Sequence, residues 1–389
     1  MMNNSQKSAH AQKRFAIFLP ALYGGGAERT MLNLARGMAA RGYAVDLVLA
    51  QAEGPYLKDV PSTVRLVDLG QGRLINKMRT LRRLPSFVRY LRQERPDALL
   101  SALTLANFFA LSARRLAGLP SRVVVNEQNT LSQDSRSGSS RLDWMLPYGA
   151  RFFYGWADNV VGVSQGVVDD LVEKIGVSKE LVKVIHNPGV THELRAKIDS
   201  PLDHPWFQPG EPPVFLGVGR LIRQKDFPTL LKAFALVRKT QPARLLILGE
   251  GPDRPQLEAL AQELNIAADV AMPGFVENPY AYMTRAAAFV LSSLWEGLPT
   301  VLMEALYCGV PIVSTDCPSG PREILRHGEI GRLTPMRDPQ ALAQGMLDVL
   351  AGKVPRPTSE SWQPYELETI VEQYVDILLG KESKAQAVS

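Results

Sequence analysis

Residues 286–316, AAAFVLSSLWEGLPTVLMEALYCGVPIVSTD, decide the fold. An uncharged, largely apolar run, Ala286 to Ser292, leads through a short loop, Leu294 to Leu298, into a stretch of helical character that stops at Gly309. A second apolar run follows, Val310 to Thr315. Strand, turn, helix and strand in that order form the unit from which parallel sheets are built. Pro299 stands where a helix accepts proline, at its first position, and Gly309 stands just past the end, where a left-handed residue is wanted. Two carboxylates mark the unit, Glu296 in the loop and Glu304 eight positions later. At about 1.5 Å of rise per residue, Glu304 is a turn or so inside the helix and can reach a ligand lying over the helix N-terminus. There the backbone N–H groups of Thr300 and Val301, aided by the helix dipole, offer a site for phosphate oxygens. A carboxylate in such a place also serves commonly as a plain dipole complement or cap.

Working outward, the chain's 389 residues and ordinary apolar and charged fractions describe a globular protein of two domains, each with a full-sized core. The two cysteines, Cys308 and Cys317, have no metal-like spacing and read as small buried or half-buried residues of a reduced, cytoplasmic protein. The polar N-terminus lacks the apolar stretch of a signal peptide, so no export is expected. The run Ala98 to Ala113 is interrupted by Ser101, Thr104, Asn107 and Ser112 and falls short of the ~20 residues that span a bilayer. It reads as a buried strand and a helix.

Charge is divided unevenly. Residues 1–200 hold 27 Lys/Arg against 17 Asp/Glu, net +10, and residues 201–389 hold 17 against 22, net −5. Much of the excess sits in 73–95, where Arg73, Lys77, Arg79, Arg82, Arg83, Arg89, Arg92 and Arg95 interleave with Leu74, Met78, Leu81, Leu84, Val88 and Leu91. That spacing predicts a basic amphipathic helix, broken or kinked at Pro85. Such a helix either packs its apolar stripe on its own domain or docks on anionic lipid head groups, peripheral on the inner face of the membrane. Nucleic acid is not expected, because aromatics are not interleaved with the cations and no binding motif accompanies them.

In chain order, a strand over Arg14 to Leu19 leads into the glycine-rich turn ALYGGGAER, residues 21–29, and a helix to about Arg41. Such a turn lets a phosphate or sugar approach the backbone, although its spacing is not the dinucleotide fingerprint. Strands and helices then alternate through Val45 to Leu49, Val64 to Asp68, Ala98 to Ala102, Asn107 to Leu116 and Arg122 to Val125. The stretch Leu131 to Ser140, rich in Ser, Gly, Asp and Arg, reads as a mobile loop. The prolines between His192 and Pro213 predict an interdomain linker. After the strand Val214 to Val218 come Gly219, Arg220 and Lys225, where a planar fork and a point charge suit a diphosphate or are simply solvated. Apolar residues from Leu367 to Leu378 at helical spacing predict a last helix.

The stretch 292–316, SSLWEGLPTVLMEALYCGVPIVSTD, closely resembles the signature of retaining glycosyltransferases of family 4, which carry two glutamates separated by seven residues. Gly219-Arg220-Leu221 with Gln224-Lys225, Gly249 to Pro252, Met272 to Val276 and Pro318 to Leu325 resemble the same family. The resemblance covers about Ala16 to Leu379 and implies the GT-B fold, an α/β architecture of two Rossmann-like parallel-sheet domains facing a cleft. It implies an acceptor domain over 1–200, a nucleotide-sugar donor domain over 201–362, and a helix in 363–389 that crosses back after a kink near Pro364. In the site so implied, Glu304 binds the ribose, Glu296 lies by the transferred sugar, Arg220 and Lys225 take the diphosphate, and Phe275 and Val276 line the base. Gly219, Gly297, Leu298, Pro299, Thr300 and Val301 complete the donor site, while Gly24 and Gly25 meet donor phosphates or the acceptor. Many members carry a sugar-contacting histidine where this chain has Asn126-Glu127-Gln128-Asn129-Thr130. Gln128 or Asn129 can donate the equivalent hydrogen bond, but neither works as a near-neutral acid or base.

The expected reaction moves a hexose or N-acetylhexosamine from a nucleotide diphosphate sugar, a UDP-sugar first among them, to a hydroxyl of a glycan or lipid-linked acceptor with retention. Glu296, Arg220 and Lys225 carry it, without a metal or other cofactor. A catalytically silent nucleotide-sugar-binding module and a GT-B-like epimerase are the alternatives.

Overall fold

The computed structural model describes residues 13–70, 82–137 and 141–381. In the first sheet, β1 (Arg14–Leu19), β2 (Ala44–Leu49), β3 (Arg65–Asp68), β4 (Ala98–Ala102), β5 (Arg122–Glu127), β6 (Asn159–Gly162) and β7 (Val182–Val184) pair in the order β3-β2-β1-β4-β5-β6-β7. Every pairing in it is parallel. In the second sheet, β8 (Val214–Val218), β9 (Arg244–Leu248), β10 (Val270–Gly274), β11 (Ala288–Leu291), β12 (Ile312–Thr315) and β13 (Arg332–Thr334) pair in the order β10-β9-β8-β11-β12-β13, again all parallel. Central strands such as β1, buried from Phe15 to Leu19, are apolar on both faces because helices cover both. These are two Rossmann-like, doubly wound domains. One comprises the described residues up to Pro188 together with those from Leu367 on, and the other runs from Gly189 to Glu366.

In the first unit, α1 (Gly26–Ala40) buries Met31, Leu34, Ala35 and Met38, the face its spacing predicts. The basic segment is helical over α2 (Leu84–Glu94), and the expected helix over 71–81 lies outside the described residues. Pro85 does not kink α2: it sits in the first turn, where its missing N–H breaks no intrahelical bond. Beyond α3 (Thr104–Ala117), the expected loop at Leu131 is instead α4 (Leu131–Ser137). Asp170 is the reason, because its carboxylate accepts the Ser132 N–H at 2.9 Å and also the Ser132 hydroxyl. The helix α5 (Arg141–Phe153) follows.

The C-terminal helix, Leu367–Leu378, belongs to this first unit, and Leu367, Ile370, Val371 and Tyr374 join its core. Gly37 of α1 admits it, since a Cβ there would fall 2.5 Å from Val371 Cγ2. Asn126 Nδ2 donates to the Tyr374 hydroxyl at 2.7 Å and Arg122 Nε to the Ile377 carbonyl at 2.8 Å. Pro364 lies in the short turn Gln363–Tyr365 that precedes this helix.

The segment expected as a linker belongs to the second unit. Its first part is α6 (His192–Lys197), capped by Thr191, whose hydroxyl accepts the Leu194 N–H at 3.2 Å. Then come α7 (Phe227–Thr240) and α8 (Thr300–Tyr307). Pro299, expected at the first helical position, is instead the N-cap of α8 in extended conformation, and Gly309 beyond the helix is left-handed at φ +67°.

Tyr374→Phe removes the acceptor of a buried amide and is expected to cost about 1–3 kcal/mol. Urea denaturation of the full chain followed by circular dichroism checks it.

Candidate active site

The order of the second sheet reverses at β8 and β11, which are neighbours in space although β9 and β10 intervene in sequence. Ligands of open α/β sheets bind at such a switch point, beyond the carboxyl ends of the strands. From β8 the chain runs into Gly219, Arg220 and Lys225, and from β11 into Ser293 and Glu296. Three hydrogen bonds lace the two loops: Ser292 Oγ to the Lys225 carbonyl at 2.7 Å, Gln224 Nε2 to the Trp295 carbonyl at 2.8 Å, and the Leu294 N–H to the Gln224 carbonyl at 2.8 Å.

Held so, Lys225 Nζ lies 2.6 Å from Glu296 Oε1, and Ser293 Oγ donates to the same oxygen at 2.6 Å. Glu296 is 6% exposed and the Lys225 side chain 17%. Burial pushes the neighbouring Cys317 thiol well up, and the Glu296 charge pushes it the same way. Burial likewise pushes the half-buried Cys308 up to about 12, and both cysteines are free thiols.

The loop after Glu296 is fixed from behind. Ser319 Oγ donates to the Gly297 carbonyl at 2.7 Å, and Gly320, at φ +87°, packs where a Cβ would lie 2.5 Å from Pro299 Cδ. Leu298 and Pro299 are buried, and the chain then enters α8, whose first turn carries no acidic residue. The first N–H groups of a helix have no intrahelical acceptor, so Thr300 and Val301 present theirs at the α8 N-terminus. Glu304, half-buried, follows one turn inside. Gly219 packs on the Lys225 stem, 3.2 Å from Cε to a Cβ built on it. Gly249 is required by φ +143° and by its approach to the Gly219 carbonyl, 1.9 Å from where a Cβ would stand. Arg220 is exposed and, among the described residues, shows no ion pair. Phe275, 76% exposed, and Val276 follow β10, the edge strand two places from β8.

The remaining expected residues lie in the first unit. Gly24, at φ +99°, and Gly25 precede α1, but the Gly25 N–H already donates to the Glu28 carboxylate, the half of a capping box that a glycine N-cap allows. The Gln128 carbonyl accepts from Asn187 Nδ2 at 2.8 Å, and its amide group donates to Asn126, while Asn129 is half-buried beside it. Among the described residues no group of three His, Cys, Asp or Glu is placed to hold a metal.

Two functional-looking residues escape the sequence reading. Ser293, one of two adjacent serines after an apolar strand, orients Glu296 through its hydroxyl. Glu127, at the end of β5, is buried and accepts from Thr104 Oγ1 at 3.0 Å, Asn107 Nδ2 at 3.3 Å and the Tyr154 hydroxyl. Burial pushes its carboxyl from 4.5 up to about 8, against the pull of the Thr104 and Asn107 hydrogen bonds. Its only sequence signal is a polar run directly after an apolar strand.

Residues 202–366 match the family model of the glycosyl transferases group 1, and residues 25–188 match that of the glycosyl transferase 4-like domain. The chain is 28% identical, over 87% of its length and 90% of the relative's, to a Campylobacter jejuni N-acetylgalactosamine-N,N'-diacetylbacillosaminyl-diphospho-undecaprenol 4-alpha-N-acetylgalactosaminyltransferase. It is 26% identical, over 84% of its length and 86% of the relative's, to the Rhizobium meliloti lipopolysaccharide core biosynthesis glycosyltransferase LpsE. The structure of Anabaena HepE in complex with UDP and glucose superposes with a TM-score of 0.77 at 19% identity, covering 94% of this chain and 99% of that one. Sheet order, switch-point loops and family matches agree on a glycosyltransferase of the GT-B type. Within that class the chain belongs to the glycosyl transferases group 1, with a 4-like N-terminal domain.

A carboxyl that keeps its proton in the folded chain weakens folding as pH rises from 4.5, where the unfolded chain releases that proton, to about 8. Glu127→Gln removes this dependence. Its stability relative to the parent is expected to grow across that window by up to about 1.4 kcal/mol per pH unit, read from urea melts at several pH values.

Proposed function

We propose that the chain is a retaining glycosyltransferase that moves a hexose or N-acetylhexosamine from a UDP-sugar to a hydroxyl of a glycan or lipid-linked acceptor. The observation that carries this is the Lys225–Glu296 pair at the switch point of the second sheet, beside a helix N-terminus with no acid in its first turn. As the bond from the anomeric carbon to the diphosphate breaks, negative charge gathers on the leaving phosphate and positive charge on the sugar carbon. Arg220, Lys225 and the N–H groups of Thr300 and Val301 stabilise the phosphate, so the design calls for no metal there. Glu296 orients the sugar hydroxyls, Glu304 binds the ribose, and Phe275 and Val276 wall the base. The acceptor oxygen bonds to the same face of the anomeric carbon, and its proton passes to the departing phosphate oxygen. Gln128 and Asn129 serve the sugar in place of a histidine, and Gly24 and Gly25 meet the acceptor.

The relatives support the particulars. The C. jejuni protein is named for an alpha linkage to a diphospho-undecaprenol-linked sugar, which supports a lipid-linked acceptor. HepE is seen with UDP and glucose. A lipid-linked acceptor suits a cytoplasmic enzyme peripheral on the inner membrane face. The exposed Arg82, Arg89, Arg92 and Arg95, in the described part of 73–95, suit anionic head groups. No helix among the described residues is long and apolar enough to cross a membrane.

Labelled UDP-sugars with a membrane lipid extract test the reading. Glu304→Ala is expected to weaken donor binding about 10- to 100-fold by calorimetry, the value of hydrogen bonds to a charged group. Glu296→Gln is expected to keep binding and lower turnover by about 100-fold or more. Turnover is expected to persist in a chelator. Binding without transfer to any acceptor would favour the silent module, and an inverted anomeric signal in the product would remove retention.

A further inference from the structure

On its inner side, α5 is anchored to α3: Gly149 lies where a Cβ would fall 2.7 Å from the Phe108 ring, Ala150 is buried, and Phe153 stacks on Phe108 with centroids 4.9 Å apart. Its outer side does none of this work. Trp144, Met145, Tyr148 and Phe152, at helical spacing on one face, are 63%, 58%, 64% and 62% exposed. Large exposed apolar residues elsewhere, such as Tyr23, Leu66 and Met336, are scattered, and scattered ones need no explanation. Here Leu142 joins the four, and the Trp144 and Tyr148 rings lie 5.4 Å apart as one slab.

The surroundings of the slab are cationic. The Phe152 ring meets the edge of Trp156, over which the Arg115 guanidinium sits at 4.7 Å, and Arg151 is exposed on α5 itself. Next to Arg115, Leu116 is exposed, and its carbonyl accepts from Arg92 of α2 at 2.8 Å. The basic face of α2, the C-terminal end of α3 and the aromatic face of α5 are thus linked in series on one unit. Asp143, half-buried, is the acidic residue of α5. Aromatic rings with a polar edge, flanked by arginines, match the layered chemistry of a bilayer surface, apolar below and anionic at the head groups.

We infer that the Trp144–Phe152 face of α5 inserts into the head-group region of a bilayer carrying anionic lipid, with Arg115 and Arg151 at the phosphate level. This rests on the membrane-surface reading of α2 and adds the element that enters the lipid, and it does not depend on the donor site.

Flotation of the full chain with phosphatidylcholine vesicles, with and without about 30 mol % phosphatidylglycerol, tests it. The parent is expected to float with the anionic vesicles, its tryptophan emission shifting to the blue and being quenched by brominated lipid. Trp144→Phe should keep binding and lose most of that quenching. Trp144→Ser with Tyr148→Ser and Phe152→Ser should lower partitioning about 30-fold or more, as expected when three aromatic side chains no longer reach the interface. Its far-UV circular dichroism and donor binding should be unchanged. Equal flotation of the triple variant and the parent on anionic vesicles, or unquenched emission in the parent, overturns the α5 inference and leaves α2 docking standing. If the parent floats with neither vesicle, both fail. Loss of a dimer in the triple variant, with flotation unchanged, would show that the face covers a second copy and would overturn the inference.

Discussion

A lysine and a glutamate held 2.6 Å apart and largely out of water are an expensive arrangement, because desolvating each ion costs several kcal/mol and their attraction repays this only with good geometry and further hydrogen bonds. Ser293 supplies one such bond, and the Lys225 stem lies against Gly219. The partners are 71 residues apart in sequence. They meet only because β8 and β11 are paired in one register, Ala288 opposite Phe215 and Phe289 opposite Leu216. The doubly wound sheet order therefore precedes the site, and a pair of this kind is weak evidence of stability. Its meaning is geometric: a lysine and a carboxylate at the switch point of the sheet, the carboxylate held in one orientation by Lys225 and Ser293.

The same order explains the glycines around it. Gly249 and Gly251 bring the loop after β9 against backbone carbonyls of Gly219 and Leu221, where a side chain would collide. Hydrogen bonds from Gly219 to Leu248 and from Gly249 to Gly274 tie the ends of three strands into one platform. At the ends of β8 and β9 the glycines thus leave backbone where side chains would otherwise stand.

What could be read in the sequence is what local periodicity carries. The unit around Glu296 and Glu304 shows its strands by composition and its helix end by Gly309, and the C-terminal helix shows its buried stripe from Leu367 to Leu378. Where the reading failed, the cause lay far along the chain. Leu131–Ser137 is composed like a loop and becomes a helix because Asp170, 38 residues away, takes the Ser132 N–H. The linker assigned to 192–213 has linker composition, yet its start is helical because Thr191 caps it. Asn126 finds its partner in Tyr374 across 248 positions. The burial of Glu127 is likewise a tertiary matter: Thr104, Asn107 and Tyr154 converge on it from other elements, and no spacing around residue 127 announces them.

The two units each place a glycine-flanked helix after a strand of their sheet, yet their helix N-termini differ in electrostatics. At α1, the Glu28 carboxylate already occupies the Gly25 N–H, so an incoming phosphate would meet a negative charge where the helix dipole should attract it. At α8, the first turn holds no acid and Lys225 stands on the adjoining loop. The dipole of α8 is therefore left open to an anion, with Lys225 shared between that anion and Glu296, whereas the dipole of α1 is already answered by Glu28. A neutral ligand rich in hydroxyls suffers no such penalty at Gly24 and Gly25, where the left-handed Gly24 leaves room for close approach to the backbone. The charge of one capping glutamate thus sets the two helix N-termini apart: the proposed diphosphate contact suits α8, and the proposed contact with an uncharged sugar hydroxyl suits Gly24 and Gly25.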